Sequence, residues 1–575
     1  MTGSTPCKSY AHQAVTLKQL QRLGPVQLET MMELIMPKVP TSWQNEGAAR
    51  LTAELLLAQR AVSDEHNQRG YLSPENIQTA ATARRCRLVL KEDMSITDLV
   101  LIAVLVSDLL FAITIVFFDR KNPANVWAWL LVLYFLPVVG FVLYIFLGQN
   151  YRKKKMFRLK QDADKALRRL IELQKSELKA GDIPATDHLS AAFRRMVLML
   201  VEDDGSILTT NNQIKVYTDG NEKFADLIAA IKAARDHVHL EYYIWRNDAL
   251  SHEMREVLTQ RARAGVEVKL LCDGLGCAHL SRHFFDELKN AGGQVAFFFP
   301  SLLRFLNLRS NFRNHRKIAV IDGGTSFVGG FNIGDEYLGK VSKWGYWRDA
   351  AVRIAGTAVL LCQLRFFFDW NYATKGRHLD YEHRYFPDIT TSAGAPVQIV
   401  SGGPDTYWNP IKESYLKMIN SATDTIYIQT PYFIPGDSVR DALRIAALSG
   451  LDVRIMIPNR PDHPFVYWAG LSFLGQLLDS GVRAYTYDNG FLHAKTIVVD
   501  EVAASVGSAN WDLRSLGLNF ETNAIMYDTP VARGLKDAFT KDLNVCTELT
   551  PERYANRPVT IKLKESISRL FSALL

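Results

Sequence analysis

The chain has few cysteines for its length. Cys7, Cys86, Cys272, Cys277, Cys362 and Cys546 are all there are in 575 residues, and they make no C-x2-C pair and no zinc spacing. A disulfide scaffold and a zinc module are therefore excluded, and reduced, structural cysteines on a cytosolic domain are expected. Residues 1–93 lack any long apolar run or nameable motif; stretches such as 51–62 have helical spacing, and no signal peptide is visible. Net charge is also small, +7 from 67 basic against 60 acidic residues, and nothing resembles a nucleic-acid channel, so no nucleic-acid partner is expected. At 48% hydrophobic and 22% charged, the chain is long enough to fold several domains with full cores.

Long apolar runs do occur, twice. Residues 96–118 form a run of 23, about 34 Å as a helix, and 126–147 form a second of similar length. Pro137 and Gly140 do not disqualify the second run, because a neighbouring helix can satisfy the freed backbone groups. The pair reads as a transmembrane hairpin spanning 94–150. Arg84, Arg85, Arg87 and Lys91 precede it, and Arg152, Lys153, Lys154, Lys155, Arg158 and Lys160 follow it. The short connection carries only Arg120 and Lys121. The positive-inside rule then puts both ends in the cytoplasm of a multi-pass cell-membrane protein, and the run from Arg152 also suits anionic membrane lipids. Met94 stands just before the first run, so 1–93 reads either as a cytosolic appendage or as sequence upstream of the true start.

The stretch that organises the rest is written twice. Residues 314–332, NHRKIAVIDGGTSFVGGFN, contain His315, Lys317, Asp322 and Asn332; residues 492–510, LHAKTIVVDEVAASVGSAN, contain His493, Lys495, Asp500 and Asn510 at the same spacings. Only these two of the 13 histidines have a lysine two residues on. The duplication extends further: HVHLEYYIW is answered by TIYIQTPYFIP (425–435), and AGVEVKLLCDG (264–274) by SGLDVRIMIP (449–458). Helices with apolar faces, such as Phe224, Leu227, Ile228 and Ile231, alternate with these strands. The expected fold is thus α/β, with two pseudo-symmetric repeats at 206–377 and 397–550. A charged helical connector (151–205) precedes them, a linker (378–396) separates them, and an amphipathic tail (551–575) follows.

In an extended segment, a histidine and a lysine two apart share one face. One such pair could be a structural oddity of the core. Two, in duplicated halves, suggest a pseudo-twofold axis that brings both to a shared site. Two imidazoles, two ammonium groups and two asparagine amides suit a phosphodiester. The lysines and asparagines would hold its oxygens, one neutral histidine would attack phosphorus, and the other would protonate the leaving oxygen. Asp322 and Asp500 are expected as supports that orient the motif's basic groups.

These paired H-x-K-x4-D motifs resemble the phospholipase D superfamily. With GGFNIGDEY, YWRDAAVRI, TPYFIPGD, PDHPFVYWA and NWDLRSLGLNFE, the resemblance narrows to the bacterial cardiolipin synthases with two amino-terminal membrane segments, over roughly residues 96–575. It implies that one phosphatidylglycerol donates its phosphatidyl group to a histidine, releasing glycerol. A second phosphatidylglycerol then accepts the group to give cardiolipin, with no metal or other cofactor. By that analogy His315 is the nucleophile and His493 the general acid, while Lys317, Lys495, Asn332 and Asn510 hold the phosphate. Glu336 and Glu521, at comparable positions after the motifs, would orient lysine or histidine, and Ser508, where the first copy has Gly330, would add a hydroxyl to the pocket. A membrane-bound phospholipase D hydrolase, a superfamily nuclease and a non-catalytic scaffold for anionic lipid stand as alternatives; retention of all eight motif residues disfavours the scaffold.

Overall fold

The computed structural model describes residues 165–181, 189–299, 312–374, 379–389 and 394–572, with 112–113, 123–136 and 140 ahead of them. The chain divides into two compact units, Met1–Val106 and Ser107–Leu575, and every described residue belongs to the second.

Fifteen strands form one sheet in that unit. At its middle Leu208–Tyr217 pairs antiparallel with Ala395–Gly402. Outward from the first come Ala351–Ala355, Thr325–Gly329, Lys317–Ile321, His237–Tyr242, Glu267–Asp273 and Gln294–Phe298. Outward from the second come Glu521–Met526, Ala503–Gly507, Thr496–Val499, Thr425–Gln429, Asp452–Pro458 and Arg483–Tyr487, with Cys546–Leu549 added at the edge. Up to that antiparallel edge strand the order is the same in both directions, and the three strands outside the motif strand of each half run parallel, as strand–helix–strand units require. The duplication read in the sequence is therefore an α/β repeat about an approximate twofold axis at the central pair.

Every residue of Lys317–Ile321 and of Thr496–Val499 is buried, the pattern of strands covered on both faces. The helix Gly220–Ala233 is capped by Asp219, whose carboxylate accepts from the backbone N–H of Asn221 at 2.8 Å, and it buries Phe224, Leu227, Ile228 and Ile231. One apolar layer takes Ile318, Val320, Val328 and Val352 from the first half with Val498, Ala504, Val506 and Ala524 from the second. That shared layer fixes the halves against each other, and with them any site they jointly build.

Two stretches ahead of the sheet differ from a simple charged connector. Lys165–Ala180 is clamped through Gln174, which exchanges two 2.8 Å hydrogen bonds with the backbone of Leu208. Ala191–Asp204, capped by Ser190, buries Phe193, Met196, Val197 and Leu200 in the core that holds Tyr415, Met418 and Ile426. This helix is part of the second half's core. Among the described residues no helix is long and apolar enough to cross a membrane. The two expected membrane segments lie largely outside the described residues, which include a helix at Pro123–Phe135.

Candidate active site

Each motif strand ends in a tight hairpin. Asp322 and Gly323 sit at φ 50° and 62°, and Asp500 and Glu501 at 51° and 53°; each left-handed pair lies inside a turn closed by the Gly324 N–H to Ile321 O at 3.1 Å or the Val502 N–H to Val499 O at 3.0 Å. The Asp322 carboxylate accepts from the backbone N–H groups of Arg235, Asp236 and His237 at 2.9, 2.8 and 2.9 Å. Asp500 does the same for Thr423, Asp424 and Thr425 at 2.7, 2.9 and 2.8 Å. These carboxylates tie the turn to the start of the neighbouring strand, roughly 16 Å along the chain from the motif lysines. The expectation that Asp322 and Asp500 orient the basic groups is thereby corrected.

The groups that do orient the histidines come from the opposite halves. Glu521, on the second half, places both carboxylate oxygens 3.0 Å from Nδ1 of His315. Asp349, on the first half, places Oδ2 2.6 Å from Nδ1 of His493. The backbone crosses over in the same way: His315 N–H donates to Phe520 O at 2.9 Å, and His493 N–H to Arg348 O at 2.7 Å. Strand register makes the two acids counterparts, because Gly329 lies opposite Ala351 and Gly507 opposite Asn523, each two residues past its acid. An ionised carboxylate only accepts, so each Nδ1 carries the proton and each Nε2 is left with its lone pair.

Sequence reasoning named Glu521 but missed Asp349, pairing Glu336 with Glu521 instead. Glu336 accepts from Arg246 Nε at 3.1 Å and touches neither motif lysine nor histidine. Its expected orienting role is corrected by that geometry. Gly330 gives the reason for the one departure between the copies. A Cβ there would lie 2.0 Å from Asp349 Oδ1, so the first half needs glycine where the second has Ser508. The Ser508 hydroxyl donates to Glu521 Oε2 at 2.5 Å, so it supports the acid and does not face the pocket.

The lysines sit behind the histidines. Lys317 Nζ donates to the carbonyl of His315 at 2.6 Å, and Lys495 Nζ to that of His493. Burial pulls their pKa values down to about 7 and about 8, against the pull of Glu521 and Asp349. Burial likewise lowers His315 below its usual range, and it takes His493 down to about 4 with help from Lys495. Burial pushes the Glu521 and Asp349 carboxyls upward, but the adjacent His315 and Lys317, and Lys495 and His493, outweigh it and hold both acids ionised. The free site thus holds neutral imidazoles, ionised acids and two lysines that readily lose their charge.

Both histidines open on one cleft of about 600 Å³, lined from the first half by Tyr243, Asn332 and Tyr337 and from the second by Tyr432, Asn510 and Leu513. Asn332 is engaged, donating to Tyr337 Oη at 2.8 Å and accepting from Ile244 N–H at 3.2 Å. Asn510 Oδ1 is buried without a hydrogen-bond partner. Of the eight motif residues, the structure gathers the two histidines and two asparagines at the cleft, the lysines behind them, and leaves the aspartates at the far strand ends.

Comparison with known proteins follows the same division. A family model described as cardiolipin synthase, PLD-like domain, matches residues 227–344 and 415–543, and one described as phospholipase D-nuclease N-terminal matches 106–149. A cardiolipin synthase of Staphylococcus aureus is 49% identical over 488 residues, covering 85% of this chain and 99% of its own. The major cardiolipin synthase of Bacillus subtilis is 48% identical, covering 84% and 100%. Among solved structures, phosphatidylserine synthase from Haemophilus influenzae superimposes with a TM-score of 0.50 at 14% identity, over 66% of this chain and 97% of that one, a likeness of fold.

Proposed function

The chain belongs to the cardiolipin synthases of the phospholipase D superfamily, and from that premise we propose how its cleft transfers a phosphatidyl group between two phosphatidylglycerols. The observation that carries the mechanism is the reciprocal pairing of His315 with Glu521 and of His493 with Asp349. Each imidazole is fixed by an acid of the other half, so neither half is complete alone.

Binding of the anionic diester beside Lys317 and Lys495 restores their positive charge and raises the affinity of His493 for a proton. The His315 Nε2 lone pair attacks phosphorus; the bond to the glycerol oxygen breaks, and that oxygen takes the proton from His493 Nε2. The lysine ammonium groups stabilise the charge that builds on the non-bridging oxygens. Glu521 stabilises the positive charge that His315 gains as the N–P bond forms. A free headgroup hydroxyl of the second phosphatidylglycerol then gives its proton to His493 and attacks phosphorus as the N–P bond breaks. Cardiolipin leaves, and both histidines regain their starting states. The assignment of His315 as nucleophile rests on family analogy.

A hairpin at 96–118 and 126–147 with both ends cytoplasmic would place this cleft at the inner face of the cell membrane. The basic residues flanking both ends and the family match over 106–149 support that placement. In this reading 1–93 is an amino-terminal extension, and the repeats span 206–377 and 397–550.

Purified protein supplied with phosphatidylglycerol vesicles tests the reading. Cardiolipin with one glycerol per cardiolipin is expected; phosphatidic acid as the main product would make the enzyme a hydrolase, and no turnover would leave a lipid-binding scaffold.

A further inference from the structure

The C-terminal helix Val559–Phe571 lies along the helix Pro464–Leu478, and it does so inside out. Its inward face is polar. Glu565, 2% exposed, accepts from Arg557 Nη2 at 2.7 Å and from Tyr554 Oη at 3.1 Å, and Ser568 is equally buried. Its outward face is apolar: Val559 is 79% exposed, Leu563 59% and Leu570 74%, with Ile567 between them. At 100° per residue these four fall within an arc of about 80°, roughly opposite Glu565 and Ser568. Lys562 and Arg569 flank the arc on one side and Lys564 on the other, all exposed, with Lys564 over the Trp468 ring at 5.3 Å.

A soluble helix normally turns such a stripe toward the core. Here the core side is already filled by the Glu565 cluster, so the stripe cannot turn inward without burying its neighbours' charge. The helix also leads to the site. Ser572, just past its end, and Val466, near the start of the partner helix, both line the catalytic cleft, and the neighbouring Phe465 is 58% exposed.

We propose that this face docks on an anionic lipid bilayer, seating the cleft mouth at the headgroup layer so that phosphatidylglycerol enters from the leaflet. The inference rests on the synthase reading and adds to it a membrane contact separate from the amino-terminal segments. Charge selects the occupant: an apolar stripe rimmed by lysine and arginine complements acidic headgroups. A second copy docking by the same face would set Lys562, Lys564 and Arg569 against themselves.

The test uses full-length protein carrying Leu563→Asp and Ile567→Asp, both surface positions. With phosphatidylglycerol in vesicles, kcat/KM is expected to fall at least tenfold. With dihexanoyl phosphatidylglycerol below its micelle concentration, it is expected to stay within twofold of the parent. Vesicle activity within twofold of the parent, or an equal loss on both substrates, would overturn the docking proposal. Failure of the parent on either lipid would instead strike the synthase reading. Independently, a nitroxide at Leu563→Cys in 1:1 phosphatidylglycerol–phosphatidylcholine nanodiscs should be open to oxygen and shielded from a nickel chelate. Nickel access there, or dipolar broadening between two copies, would overturn it.

Discussion

Exchanging Asp349 for asparagine removes one charge and leaves the shape. Asp349 is fully buried; Oδ1 accepts the Ala350 N–H at 2.7 Å and Oδ2 meets His493 Nδ1 at 2.6 Å. In Asp349→Asn the amide oxygen still serves Ala350, so its NH2 faces Nδ1 and forces the His493 proton onto Nε2. The imidazole then has no lone pair with which to take the acceptor's proton, and no anion stabilises it when protonated. A comparable loss of tautomer control costs a Ser-His-Asp site about 10⁴-fold, or about 5 kcal/mol of transition-state stabilisation. We expect kcat for cardiolipin formation to fall by about 10³- to 10⁴-fold. Lys495 also loses its nearest counter-charge, so its pKa drops below about 8 and the alkaline limb of the rate profile moves to lower pH. The assay is cardiolipin and glycerol release from phosphatidylglycerol vesicles, paired with a p-nitrophenyl phosphatidyl ester whose leaving group needs no proton. Asp349→Asn should release nitrophenol in a burst near the parent's amplitude, whereas Glu521→Gln, which disables the nucleophile's support, should not. Synthesis within threefold of the parent in Asp349→Asn would refute the reciprocal-acid mechanism.

Other consequences follow from the same geometry. Lysine charge is present below its pKa, so kcat/KM should decline as pH rises through about 7 to 8, while the acid limb, set by His315, lies below the ordinary histidine range because burial disfavours the imidazolium. A rate profile still climbing at pH 9 would contradict this. Because those lysines bind fewer protons folded than unfolded above pH 7, folded stability should rise from pH 7 toward 10, measurable by denaturant titration. Gly330→Ala should displace Asp349 and lower kcat by at least 100-fold with little change in melting temperature. Asp500→Ala should strip the caps from the N–H groups of 423–425 and cost about 1–3 kcal/mol in stability. Its activity per folded molecule should stay within threefold, and a 100-fold loss would return that aspartate to the catalytic machinery. Arg316→Met takes one of two buried guanidinium partners from Asp369, which keeps Arg365 at 2.7 Å, and should lower stability by about 1–3 kcal/mol in thermal melts.

The sequence carried the twin motifs, the strand around each and the α/β repeat, because identical spacing within one hairpin is a local property. His315 and Lys317 share a strand face, and Asn332 follows in the same repeat unit. The partner acids were harder, because they are fixed by register across the sheet. Seventeen residues separate Asn332 from Asp349, but only eleven separate Asn510 from Glu521. Each half has a short helix three residues past its asparagine, Asp335–Leu338 and Leu513–Gly517, but the first half follows it with a longer turn before Trp347, which hides the equivalence and draws Glu336 into the wrong pairing. Aligning YWRDAAV with LNFETNA would have exposed it. The motif aspartates were misread for a similar reason, since their partners are backbone N–H groups that no side-chain pattern reports. The apolar spacing of the C-terminal helix was legible, but which face it shows to solvent depends on the Glu565 cluster beneath it.

The shared-site claim is tested most directly by rapid acid-free quenching of the enzyme with radiolabelled phosphatidylglycerol, followed by peptide mapping of the label. The expected result is a phosphatidyl group on His315, formed at one per chain, chased into cardiolipin by added phosphatidylglycerol, and absent in His315→Ala. Undiminished cardiolipin synthesis by His315→Ala or by His493→Ala would contradict a site built from both halves.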